Sequence, residues 1–130
     1  MNCTTVFKVL RDRKSLFDHG KYTLQYHPGQ WTYPELGKIY AFRDLHYAVR
    51  WSADYHDVTV WEAEAEISKD GTCMMCSDEN RYLWLFWKWY LLFLEGKASG
   101  QPAHLPTTYS PNGTVLCNKL RITKRCKNIE

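Results

Sequence analysis

No ready-made catalytic machinery stands out in this sequence. Glycine is sparse, and Gly29 and Gly37 fit neither the dinucleotide fingerprint nor the P-loop spacing, so no phosphate-cradling loop is present. The five histidines are scattered at 19, 27, 46, 56 and 104, without the close spacing that brings two imidazoles to one metal or sets a base beside a nucleophile. No motif calls for a cofactor, and no residue is assigned a catalytic role. Five cysteines are an odd number for a closed disulfide set, and 130 residues can bury a core without staples. The first ten residues, MNCTTVFKVL, lack the charged, apolar and cleavage regions of a secretory leader, so the expected location is the reducing cytoplasm. Cys73 and Cys76 have CxxC spacing, but a zinc ribbon needs a second close pair, and Cys117 and Cys126 are nine apart in a strand. They read as thiols in a turn before a helix, and no metal site is assigned.

Long apolar runs are also missing. The longest, Tyr82 to Leu94, is interrupted by Lys88 and as a helix covers about 20 Å of a roughly 30 Å hydrocarbon core. It predicts a strongly apolar helix, with Ser77 or Asp78 as N-cap, Glu79 in the first turn and Gly96 as C-terminal stop. Its Trp84, Trp87 and Trp89 are hard to hide inside one small domain, so a homodimer is expected.

What the chain does have is aromatic residues, 15% of the total, so much of any core must be built from rings. Six of them fall in YTLQYHPGQWTYPELGKIYAF, residues 22 to 42, among turn-forming Pro and Gly and beside Lys38 and Arg43. Rings on extended backbone near cations serve either as core or as stacking surfaces for a planar anion. On the second reading the ligand-binding set is Tyr26, Trp31, Tyr33, Lys38, Arg43 and Arg50, and the partner is a nucleotide or nucleic acid.

Charge is unevenly distributed around a net of +3: residues 54 to 95 hold three Lys/Arg against nine Asp/Glu, and both flanks are basic. The acidic middle contains Glu62, Glu64 and Glu66, one face of the strictly alternating strand DVTVWEAEAEI. Such a face pairs with a basic strand, or it acts as a nucleic-acid mimic toward a protein partner such as a host defence complex. The basic candidate is Thr114 to Arg125, with Leu116, Leu120 and Ile122 on one side and Lys119, Arg121, Thr123 and Arg125 on the other.

Periodicity completes an α+β reading for one domain: a mixed or antiparallel sheet of about five to six strands with two helices, one strongly apolar. The remaining elements are a strand over Thr4 to Arg11, a hairpin turning at His27, Pro28 and Gly29, a short strand from Lys38 to Phe42, and an amphipathic helix capped by Asp44. Residues 96 to 113 read as a loop ending in the Asn112-Gly113 turn.

The pattern Tyr26, Gly29, Trp31, Tyr33, Pro34, Gly37, Lys38, Tyr40 and Phe42, followed by a helix with Ala48, then VWEAEAE and LCNKLRITKR, resembles small proteins of phages and prokaryotes. The likeness covers most of the chain outside residues 68 to 113. It implies a stand-alone α+β domain, working in the cytoplasm of a host cell if phage-encoded, where antagonism of host defence is the implied role. In strand and helix order alone the chain is similar to ADP-ribosyltransferase-type folds, which implies a third, enzymatic reading. That family's Arg or His, Ser or Tyr, and Glu set has no counterpart that can be placed here.

Overall fold

The computed structural model describes residues 3–15, 23–69, 74–77, 79–100 and 105–126. Among these, β1 (Cys3–Arg11), β2 (Lys14–Ser15), β3 (Ile39–Phe42), α1 (Leu45–Ser52), β4 (Thr59–Ile67), β5 (Met74–Cys76), α2 (Glu79–Leu94), β6 (Thr107–Tyr109) and β7 (Thr114–Arg125) follow in order. The fold is α+β, with a five-stranded antiparallel sheet, a separate two-stranded sheet of β5 and β6, and two helices. No described helix is long and apolar enough to cross a membrane.

The large sheet runs β2-β1-β3-β7-β4, and β1 also pairs with β4 from Cys3 opposite Glu66 to Leu10 opposite Thr59. The four strands β1, β4, β7 and β3 therefore close into a ring. The ring is shut on its last side by a single pair, Phe7 opposite Phe42. So few strands leave little room inside, because barrel diameter grows with strand number. The inward positions suit that limit: Ala41, Ala63 and Ala65 alternate with Val6, Leu10, Ile39, Cys117, Leu120 and Ile122 in one buried cluster. Tyr26 from the 23–38 segment completes it, at 1% exposure.

Two sectors of the ring's outer surface are covered. Val9, Phe42 and Val60 point out under α1, whose Ala48 is fully buried against them. Tyr40 and Leu116 point out under α2, beside Phe86, Trp87 and Tyr90. The Tyr40 hydroxyl donates to the Met74 carbonyl while the Met74 N–H donates to the Tyr90 hydroxyl at 3.0 Å, which ties β5 to sheet and helix at once. Helix α2 stops as its sequence implies: Gly96 has φ +76°, and Lys97 N–H donates to the Leu92 carbonyl at 2.8 Å, closing the last turn around a residue without Cβ.

Several local expectations change. Segment 23–38 is not a self-paired hairpin: Tyr26 N–H donates to Arg13 O, Ser15 N–H to Leu24 O, Gly29 N–H to Ile122 O, and Thr32 exchanges bonds with Leu120, so the segment is bonded to the β1–β2 hairpin and to β7. Asp44 occupies the N-cap of α1 but makes no side-chain cap bond, its carboxylate lying 3.5 Å from Arg43 instead. Met74–Cys76 is a strand rather than a turn, and the 96–113 loop contains β6. Cys73 and the N-cap candidate Asp78 lie outside the described residues. Finally, β7 carries two extra residues opposite β4: Thr123, between the partners of Glu62 and Ala63, so that Lys124 and not Arg125 meets Glu62, and Asn118, between the partners of Glu66 and Ile67. The bulge at Asn118 puts Cys117 on the inner face with Leu120, and sends Leu116 to the outer face under α2.

Gly37 marks a point that admits no side chain. Its φ is +70°, and a Cβ would run into the Trp87 indole. Gly37→Ala is expected to cost about 2 to 4 kcal/mol through left-handed backbone strain and displacement of the indole. Chemical denaturation reads this as a lower midpoint at unchanged slope, and a loss below about 0.5 kcal/mol, the range of an indifferent surface change, would contradict it.

Candidate functional site

The third sector of the ring's outer surface is solvated, and it holds the aromatic and charged residues together. The bridge between Thr32 and Leu120 sets Trp31 beside Arg121 and Tyr33 beside Lys119, because neighbours of a bridged pair share the opposite face. On the other side of β7, Arg121 faces Glu64 and Lys119 faces Glu66. The result is two cross-strand rows, each running from an aromatic ring through a cation to a carboxylate.

The distances bear this out. Lys119 Nζ lies 4.4 Å from the centre of the Trp31 ring and 6.0 Å from that of Tyr33, and the Arg121 guanidinium carbon is 4.6 Å from Trp31. Arg121 Nη2 also donates to Glu64 Oε1 at 3.0 Å. The bulge at Asn118 adds an amide to the same face: Lys38 Nζ donates to Asn118 Oδ1 at 2.6 Å, and Asn118 Nδ2 donates to Glu66 Oε1 at 3.0 Å. Trp31 is half-buried under its cations, whereas Tyr33 is 60% exposed and presents an accessible ring. Stacking on a planar ligand requires an accessible face of this kind.

The six residues named from sequence therefore separate. Trp31, Tyr33 and Lys38 belong to this surface. Tyr26 does not: it is buried inside the ring, bonded through its hydroxyl to Ser15, and loss of hydration raises its phenol well above the usual range. A ring in that position is a core residue with no face to offer. Arg43 lies over the Tyr47 ring at 5.3 Å and next to Asp44, and Arg50 is exposed on α1; neither contacts Trp31 or Tyr33 among the described residues. Lys119 and Arg121 are the additions. Their alternation on β7 marks them as outward, but only the Thr32–Leu120 bridge reveals that rings lie beside them.

The three glutamates do meet the basic strand. Glu64 pairs with Arg121 at 3.0 Å, Glu62 with Lys124 at 3.8 Å, and Glu66 accepts from Asn118. No group of three or more His, Cys, Asp or Glu among the described residues is arranged to hold a metal ion. No protein family model, characterised protein or solved structure matches the chain.

Core and surface rings should separate cleanly in stability measurements. Tyr26→Ala is expected to lose about 3 to 5 kcal/mol, as for other large buried side chains, while Tyr33→Ala stays within about 0.5 kcal/mol of the parent. Thermal and urea unfolding of both variants checks this. Equal losses would mean that Tyr33 is as structural as Tyr26.

Proposed function

We propose that the protein is a non-enzymatic binder of single-stranded nucleic acid or of a nucleotide, engaged through the Trp31, Tyr33, Lys119 and Arg121 surface. The observation that carries this reading is the exposed Tyr33 ring flanked by Lys119, with Trp31 and Arg121 in the adjacent row. A base stacks on the tyrosine, and the phosphates on either side meet Lys119 and Lys38. Each stacked base contributes about 1 to 3 kcal/mol irrespective of its identity, so broad sequence tolerance follows. Glu64 and Glu66 sit one strand away and limit the positive field, which favours short ligands with few phosphate contacts over long duplexes. In the phage setting implied by the sequence resemblance, sequestering such a ligand would blunt a host defence. The acidic-mimic reading has less to support it, since Glu62, Glu64 and Glu66 each engage a partner on β7.

Fluorescence anisotropy with a short labelled oligonucleotide tests the proposal. With two or three phosphates engaged, log affinity should fall against log salt with a slope of about −1.4 to −2.1. Tyr33→Ala should weaken binding by about 5- to 150-fold, and Lys119→Ala should reduce the slope by about 0.7. Absence of binding at low salt to both the oligonucleotide and ATP would sink the idea.

We also propose a homodimer through α2. Of its three tryptophans, Trp87 is buried and Trp89 donates to Gly100 O at 2.7 Å, but Trp84, with the Lys88 ammonium 5.0 Å from its ring centre, remains 50% exposed, and Leu85 and Leu92 are exposed on the outer side of the same helix. Two copies meeting along that stripe would cover these side chains. Sedimentation velocity should show a dimer that Trp84→Glu converts to monomer. A monomeric parent at high concentration would rule it out.

A further inference from the structure

Three glutamates alternate along the solvated face of β4, and β7 neutralises two of them directly: Glu64 through Arg121 at 3.0 Å and Glu62 through Lys124 at 3.8 Å. The pattern breaks at Glu66. Lys119 stands opposite it in register, yet its ammonium lies 4.4 Å from the centre of the Trp31 ring, and the group that donates to Glu66 is a neutral amide, Asn118. The break coincides with the bulge, where Asn118 and Lys119 turn two successive side chains to the same face.

The amide is held from both sides. Lys38 precedes Ile39, whose partner is Cys117, so continuing that register brings Lys38 opposite Asn118, and its Nζ donates to Asn118 Oδ1 at 2.6 Å. Asn118 Nδ2 in turn donates to Glu66 Oε1 at 3.0 Å. A cation on one side of β7 and a carboxylate on the other are thus joined through a neutral group, and they make no ion pair with each other. Nothing else keeps them apart. The segments that carry them are two strand spacings from one another, about 10 Å, a gap that a lysine and a glutamate reaching toward each other can close. The hydrogen bond to Asn118 fixes the ammonium without cancelling its charge, which a direct bond to Glu66 would do.

We infer that Asn118 is a positioning residue of the ligand surface: its amide occupies Glu66 and holds the Lys38 ammonium, so that the charge of Lys38 goes to a ligand phosphate and not to the carboxylate. This role rests on the binding of a nucleic acid or nucleotide at the Trp31 and Tyr33 surface. It also accounts for the bulge, since a regular ladder would turn one β7 side chain, not two, outward at Glu66 and leave no place for the amide.

Anisotropy of a short labelled oligonucleotide on the full chain, read as a function of salt, tests this. Lys38→Met removes one phosphate contact, so the slope of log affinity against log salt should become shallower by about 0.7, and the loss of affinity should grow about fivefold for each tenfold fall in salt concentration. Asn118→Leu, which keeps the shape of the amide without its hydrogen bonds, should have the same effect by releasing Lys38 to Glu66. Adding Glu66→Gln to Asn118→Leu should restore the parent slope, whereas Glu66→Gln alone should leave the slope unchanged. In the Lys38→Met background, Asn118→Leu should cause no further loss. Asn118→Ala, with a smaller side chain, repeats the series in case leucine disturbs the bulge, and urea unfolding of every variant reports its stability. A parent that binds neither the oligonucleotide nor ATP would remove the binding on which this role depends. A parent that binds, with a slope that both Asn118 variants leave unchanged or that Glu66→Gln fails to restore, would overturn the role of Asn118 alone. Failure of both variants to fold would overturn it as well, by making Asn118 a structural residue.

Discussion

Closure of four strands around a very small interior is the constraint on which the rest of this structure depends. When β1 pairs with β4 as well as with β3, inward side chains from all four strands compete for one narrow space. Alanine at 41, 63 and 65 leaves room for the larger Leu10, Leu120 and Ile122 and for the Tyr26 ring. Large side chains at all these positions would overfill it, because close-packed interiors do not absorb added volume without strain. The interior holds so little that most of the aromatic content has to lie elsewhere. It lies on the outside of the ring, where α1 and α2 cover two sectors with Trp51, Phe86, Trp87 and Tyr90.

The same closure divides the outer surface into parts with different chemistry. Where helices cover it, the surface is a second and third core. Where they do not, cross-strand rows of Trp31, Arg121 and Glu64, and of Tyr33, Lys119 and Glu66, face water. Cations placed between rings and carboxylates are held on both sides, so their positions are well defined even at partial exposure. This is a surface whose side chains are organised in advance. The seam between β1 and β3 is the counterpart of such closure: a ring shut by one pair is open beside it, and there Lys8 replaces a strand contact with an ammonium.

Much of the fold was legible because it is written in local periods. Strict alternation in VWEAEAE and in LRITKR identified β4 and β7 and predicted that their charged faces meet, as Glu64–Arg121 does, whereas Lys124 reaches Glu62 only through a register shift that the alternation does not show. Gly96 stops α2 as expected, since the left-handed conformation it adopts is a property of one residue. The candidate site was half legible. Trp31, Tyr33 and Lys38 were visible as rings and a cation in one stretch, but nothing local separates Trp31 from Tyr26, because both sit in turn-rich, ring-rich sequence.

The sequence by itself determined the α+β class, the two helices, the charge pairing of the fourth and seventh strands, and the aromatic character of the core, all of which follow from periodicity and composition over short windows. Tertiary structure alone decided which rings are core and which are surface, because burial depends on where segment 23–38 lies, and its long-range backbone bonds go to the β1–β2 hairpin and to β7. It also decided the face of every residue before Asn118 in β7, since one extra residue reverses the alternation and leaves no mark in a period-two pattern. Lys119 and Arg121 come beside Trp31 and Tyr33 for the same reason: a bridge between residues 32 and 120 is a long-range contact, and no local pattern encodes it.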